Sequence, residues 1–208
     1  LHALREIAWG EYTATKAAAA ILSLIGNRQE GITGLELSRK GNIDFSPVSM
    51  FSLVNFGPQH LSLGLRSPDD TPLKVGEVCG LCYSLRGSLT SRTGVAARDE
   101  ASYSDELRPT IETFYKPFWS AIAAWYETMR ADVTGGEVYK AVMDIIGGPE
   151  FGVTLNPGHN IGMDEWTNSP VYEGSELAIG SGTYMQCDII GNSSSPVQNA
   201  ICEDTVVV

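Results

Sequence analysis

The sequence has no apolar run near the ~18 residues that a membrane-spanning helix needs. Its best candidate, Ala17 to Ile25, is short and interrupted by Ser23. Positive charge is scarce: 14 Lys and Arg stand against 25 Asp and Glu, for a net charge of −11. Phosphate binding needs clustered Lys and Arg, and no such cluster occurs, which argues against a nucleic-acid partner. The acidity reads first as solubility and second as a negative pocket for a metal or a cationic substrate. Cysteines number four. The chain is long enough to bury a core without disulfide staples, and no secretory signal is visible, so reduced thiols and a cytoplasmic home are expected. Cys79 and Cys82 have the spacing of half a zinc site, but the other half is missing. On a strand, positions three apart point to opposite faces. The glycines are scattered through turns, and none forms a phosphate-cradling loop ahead of a helix.

What is present is a repeat. Ile32-Thr33-Gly34-Leu35-Glu36-Leu37 is echoed by Val133-Thr134-Gly135-Gly136-Glu137-Val138. At the same offset, Asn55-Phe56-Gly57 is echoed by Asn156-Pro157-Gly158. Each Thr-Gly-x-Glu segment follows a long helical stretch, and each Asn-x-Gly segment is read as opening a strand-rich one. Two related halves, about 1–98 and 109–208, are therefore expected to face each other across a pseudo-twofold axis, with a pocket between them. Only the second half carries a cluster of ionisable residues.

Apolar residues at three-to-four spacing predict a helix from Leu4 to Ile25, starting with Leu4, Ile7 and Ala8. Thr33 and Glu36 predict a capped short helix broken at Gly41-Asn42. Strands are expected at 45–56, 75–85 and 88–96, with a loop at 58–70 and a polar connector at 99–108. Ile111, Phe114, Phe118, Ile122 and Trp125 mark the core face of a helix from Pro109 to Arg130. Thr134 and Glu137 open a further helix that runs to Ile146. Two strands follow, at 183–190 and 200–207, with a polar hairpin or loop at 191–196. Together these elements predict an α+β fold with a mostly antiparallel central sheet and helices on one face.

The residues that point to chemistry are His159, Asp188 and Glu203, with Asp164, Glu165 and Asp204 near them in sequence. His159 sits in a glycine-bearing loop that lets backbone approach a ligand. Asp188 and Glu203 each lie among apolar strand residues, and a buried carboxylate is costly unless paired or coordinated. Their alternative placement is on a solvent-facing edge. Cys187 and Cys202 each precede one of these acids and are read as cross-strand neighbours. Trp166 either walls the pocket or packs as a surface loop.

Asn156-Pro157-Gly158-His159-Asn160-Ile161-Gly162-Met163-Asp164 resembles the Gly-His-x-Ile/Leu-Gly-x-Asp segment of the pita-bread superfamily, which holds creatinase, prolidase, aminopeptidase P and methionine aminopeptidase. Gly182 to Ile190 resembles its Gly-Met-x-x-x-Glu-Pro strand, with Asp188 at the Glu. Cys202 to Val206 resembles its Glu-Asp-x-Val strand, and Gly87 to Gly94 its Gly-Tyr-x-x-Asp-x-x-Arg-Thr strand. The resemblance implies one pita-bread domain over residues 1–208, without the N-terminal domain of longer relatives, and a homodimer. The first residue, Leu1, is not Met, and the chain is read as a trimmed or processed fragment.

The peptidases of this superfamily hold two divalent metals with two Asp, one His and two Glu, which activate a water toward an amide. His159, Asp188 and Glu203 match the His and the two Glu. One metal Asp falls at Leu89, and the other falls within 78–84, where no carboxylate stands. A second family His falls at Trp166. The resemblance therefore implies a site with no cofactor, or with a single Mn²⁺ or Zn²⁺ on His159, Asp188 and Glu203. The reading is a hydrolase acting on a peptide-like or guanidinium C–N bond, since creatinase works without metal through His and acidic residues. His159, Asp188 and Glu203 are the catalytic residues, and His60, Asp164 and Trp166 bind substrate. Two alternatives stand beside it: a non-catalytic peptide- or protein-binding relative, and a metal-dependent Xaa-Pro aminopeptidase.

Overall fold

The computed structural model describes residues 4–43, 46–57, 66–194 and 197–208. A first helix, α1 (Leu4–Asn27), leads into the short α2 (Gly34–Ser38) and the strands β1 (Leu53–Phe56), β2 (Val78–Leu85) and β3 (Ser88–Val95). A wide helical turn, Ile111–Tyr115, then runs into α3 (Lys116–Thr128), α4 (Gly135–Ile146), β4 (His159–Asn160), β5 (Tyr184–Ser194) and β6 (Val197–Val207). The six strands form one antiparallel sheet in the order β1-β2-β3-β6-β5-β4. Among the described residues, no helix is long and apolar enough to cross a membrane.

Both capping boxes are formed. Thr33 Oγ1 accepts the Glu36 N–H at 3.2 Å while Glu36 accepts the Thr33 N–H at 3.0 Å. Thr134 and Glu137 repeat the pair at 3.2 and 3.0 Å. The two motifs also dock alike. Leu73 N–H donates to the Ile32 carbonyl, and Ile179 N–H donates to the Val133 carbonyl, each at 2.8 Å. The Asn-x-Gly segments correspond less well, because Asn55 lies inside β1 whereas Asn156 precedes β4.

Side-chain alternation sorts the sheet into two faces. On one face, Met185, Cys187, Ile189 and Cys202 pack beneath Phe118, Trp125, Val138 and Val142 of α3 and α4. On the same face, Val54, Phe56, Cys79 and Leu81 pack against Ile21, Leu24 and Leu37 of α1 and α2. The opposite face carries a smaller apolar cluster, Leu53, Cys82, Leu89, Ile161 and Tyr184. Cys79 and Cys82 thus fall on opposite faces, and all four cysteines are buried and free.

Several boundaries differ from the sequence reading. The first strand is confined to β1; Val48 makes only an isolated bridge to Leu85, since Pro47 has no N–H to continue a ladder. The start of α3 is shifted by the wide turn, because Pro117 cannot donate to the preceding turn. The last two strands extend through most of the expected loop, held by Asn199 Nδ2 donating to Asn192 Oδ1 at 2.6 Å and to the Gly191 carbonyl at 3.2 Å. The buried stripe of α1 begins at Gly10 and Thr13, and Leu4 is 85% exposed. Cys187 and Cys202 are diagonal rather than paired: Cys187 faces Asp204, and Cys202 faces Ile189. In an antiparallel pair, residues that each precede a matched pair lie one step apart on opposite sides of it.

Removing the Thr134 cap orphans a backbone donor at the start of α4. We expect Thr134→Ala to cost about 1 kcal/mol in urea-monitored unfolding; an unchanged midpoint would show that tertiary packing alone holds the helix start.

Candidate active site

The acids are positioned by register. On the face away from α3 and α4, Cys82 faces Ser91, Ser91 faces Glu203, and Glu203 faces Asp188 across β2, β3, β6 and β5. Asp188 and Glu203 are 5% and 7% exposed, so they do not lie on a solvent-facing edge. His159 is added from β4, where it faces Gln186. The approach to β4 requires Gly158, at φ +134°. A Cβ there would fall 2.9 Å from the Gln186 carbonyl oxygen and 3.1 Å from Trp125 Nε1. Trp125 Nε1 donates to the Pro157 carbonyl at 2.7 Å, tying the approach to the main core.

The imidazole is fully buried. His159 Nδ1 lies 3.0 Å from the Asn160 carbonyl, which accepts its proton and fixes the neutral tautomer with Nε2 unprotonated. Nε2 faces two carboxylates, Glu165 Oε1 at 3.2 Å and Asp188 Oδ2 at 3.6 Å. Neither contact has hydrogen-bond geometry at Nε2, and Asp188 Oδ1, which takes part in neither, is also buried without a hydrogen-bond partner. Glu165 comes from a loop pinned at its base, where Asn160 N–H donates to the Asn168 carbonyl at 2.7 Å. The same loop lays the Trp166 ring over His159, with centroids 4.0 Å apart and planes at 34°.

This geometry governs proton affinity. Burial raises the Asp188 pKa, the positive charge of His159 opposes that rise and Glu165 adds to it, and the carboxyl is pushed up to about 7. Burial likewise raises Glu203, Asp188 and Glu165 raise it further, and the Ser91 hydroxyl partly offsets this. Burial would lower His159, but the acids around Nε2 and the bond to Asn160 outweigh it, and the net shift is upward. Near neutrality the Asp188–Glu203 pair retains a proton beside an imidazole that binds one readily.

The structure therefore brings together His159, Asp188 and Glu203, with Trp166 stacked on the imidazole. Asp164 is exposed, and its backbone carbonyl closes the loop by accepting the Gly162 N–H at 3.1 Å. His60 lies outside the described residues. Glu165, which the sequence reading gives no role, makes the shorter of the two carboxylate contacts to His159; the matched Asn160 and Asn168 that close its loop were the available signal. Ser91 was missed because its role depends on a register that spans 112 positions.

No protein-family model and no curated protein matches the sequence. Solved structures do match the fold. The Xaa-Pro dipeptidase of Bacillus anthracis aligns with TM-score 0.82 at 18% identity, over 100% of this chain and 59% of that one. The prolidase of Pyrococcus horikoshii aligns with TM-score 0.82 at 17%, over 100% and 60%. The X-Pro aminopeptidase of Thermotoga maritima aligns with TM-score 0.77 at 17%, over 100% and 59%. The chain has the pita-bread fold. It spans about three-fifths of the length of these pita-bread proteins.

The metal pair that this fold holds in its peptidases does not fit the residues present. Leu89, at the position of one metal Asp, is 2% exposed and packs in the apolar cluster with Leu53, Cys82, Ile161 and Tyr184. Residues 78–84 supply no carboxylate. Among the described residues, no group of three His, Cys, Asp or Glu side chains is arranged to hold an ion.

The raised acid predicts a pH effect on stability. Asp188 titrates near 3.8 when unfolded and about 7 when folded. Between those values the folded state holds the proton more tightly, so stability falls as pH rises through the window. His159 has the same sign, its share being lost as pH rises through its elevated folded pKa. Urea unfolding is expected to show a loss on the order of a few kcal/mol between about pH 4 and 7, reduced by Asp188→Asn. A wild-type profile as flat as the variant's would contradict the burial of this acid.

Proposed function

We propose that this domain is a hydrolase of the creatinase and aminopeptidase type that cleaves a peptide-like or guanidinium C–N bond without a dinuclear metal centre. The observation that carries the reading is a buried imidazole set against two carboxylates, with neither His159 Nε2 nor Asp188 Oδ1 hydrogen-bonded. Leaving such groups unpaired costs about 1–3 kcal/mol each, a cost a bound ligand would remove. In this reading His159 takes a proton from an attacking water through Nε2. The Asp188–Glu203 pair, which keeps a proton, returns one to the departing nitrogen and orients the substrate. Water's oxygen bonds the electrophilic carbon, the C–N bond breaks, and the two protons of water end on the products. Trp166 and Glu165 cover the imidazole, so the 161–167 loop shifts to admit substrate. The matched capping and docking of the Thr33 and Thr134 segments supports two related halves, and the free thiols support a cytoplasmic location.

A second reading, a peptide- or protein-binding relative without catalysis, is favoured by one specific observation: Leu89 has become part of an apolar cluster at the heart of the face where metal would act.

Hydrolysis of Xaa-Pro dipeptides and of creatine-like guanidinium compounds separates these. We expect turnover that survives chelators and falls about 100-fold or more in His159→Ala. No turnover with peptide binding retained would leave the binding relative. Turnover that appears only with added Mn²⁺ or Zn²⁺ would return the metal-dependent aminopeptidase.

A further inference from the structure

Away from the buried acids, a cavity of about 530 Å³ opens between the start of α1, the turn joining β2 to β3, and the loop that follows His159. Its lining includes Trp9, Pro47, Met163 and Tyr184, which make it largely apolar, and two arginines, Arg5 and Arg86. The size is that of a small-molecule site.

The walls are fixed to one another. Trp9 Nε1 donates to the Arg86 carbonyl at 2.9 Å, joining α1 to the turn. Arg86 N–H donates to the Pro47 carbonyl at 3.0 Å, joining the turn to the next wall. Tyr184 Oη donates to the Ile7 carbonyl at 2.7 Å, joining β5 to α1. That last contact requires Gly10, where a Cβ would fall 1.6 Å from Tyr184 Oη. The walls from α1, the turn and β5 are thus held to one another, so binding does not first have to order them; the Met163 wall belongs to the 161–167 loop.

Among the described residues, the cavity carries two of the arginines that no acid neutralises. Arg92, Arg98, Arg108 and Arg130 all pair with acids. Acids outnumber bases by 25 to 14, yet the guanidinium groups of Arg5 and Arg86 make no ion pair or hydrogen bond among the described residues. Glu6 also lines the cavity and offsets part of the charge, leaving the lining net positive. Guanidinium groups beside an apolar, aromatic wall are matched by an apolar group that carries a carboxylate.

We propose that this cavity binds small apolar carboxylates, the ring or alkyl part against Trp9, Met163 and Tyr184 and the carboxylate on Arg5 and Arg86. The site shares the 161–167 loop with the acid–imidazole cluster but none of its acids or its imidazole, so its occupation does not depend on the hydrolase reading.

Trp9 lines the cavity, so ligand titrations can be followed by tryptophan fluorescence, with calorimetry as a second readout, using 3-phenylpropionate, its primary amide, and the tripeptide Ala-Ala-Phe with free or amidated C-terminus. We expect a carboxylate to bind at least about tenfold more tightly than its amide, and Arg86→Gln and Arg5→Gln each to lower that affinity about tenfold while amide binding is unmoved. Thermal unfolding of both variants should match the wild type, since both side chains are exposed. Preference for the free acid marks a small metabolite as the occupant; preference for the tripeptide marks a peptide C-terminus; either supports the proposal. Equal binding of acid and amide, no binding by either, or no effect of the arginine variants would overturn it. His159→Ala should leave binding unchanged, which keeps this result distinct from any loss of hydrolysis.

Discussion

The pairing of β5 with β6 sets Asp188 opposite Glu203, and most of the site follows from that one register. The same register sends Met185, Cys187, Ile189 and Cys202 into the core beneath α3 and α4. A slip of one residue would exchange the faces, exposing the apolar set and driving both carboxylates into the helix-packed core. Burial of the apolar face therefore fixes the acids on the other face, where they lie almost without solvent. Two like charges so placed cannot both ionise cheaply, so the pair holds on to a proton.

The remaining parts are arranged around this constraint. Gly158 lets the chain pass between Trp125 and the Gln186 carbonyl, so that His159 arrives beside Asp188. The Asn160–Asn168 contact closes the loop that brings Glu165 and Trp166 over the imidazole. Where the resemblance to pita-bread peptidases places a metal-binding carboxylate, Leu89 instead extends an apolar cluster. The face thus sets two buried acids and an imidazole beside apolar packing at Leu89. That combination underlies the reading as a metal-independent hydrolase and also makes a binding role physically coherent.

Local chemistry made much of the fold legible in the sequence. Thr33 with Glu36 and Thr134 with Glu137 announce their capping boxes, since each needs only four consecutive residues. The α3 stripe, Phe118 to Trp125, is set by period alone. The sequence reading went astray where distant partners decide. The length of β5 and β6 depends on Asn199 reaching back to Asn192, and the diagonal placement of Cys187 and Cys202 depends on the register itself. Of the site, His159, Asp188 and Glu203 were visible as polar residues in apolar or glycine-rich surroundings. Glu165 was not singled out, because an acid in an exposed-looking loop carries no mark until the loop is closed.

The most direct test is the titration of the carboxyl groups by ¹³C nuclear magnetic resonance, with Asp188→Asn to assign the signal. One carboxyl should titrate near the value of about 7 that burial imposes on Asp188, and that transition should vanish in the variant. If every carboxyl, Asp188 included, titrates in the ordinary range near 4, the acids are solvated and the buried acid–imidazole site does not exist.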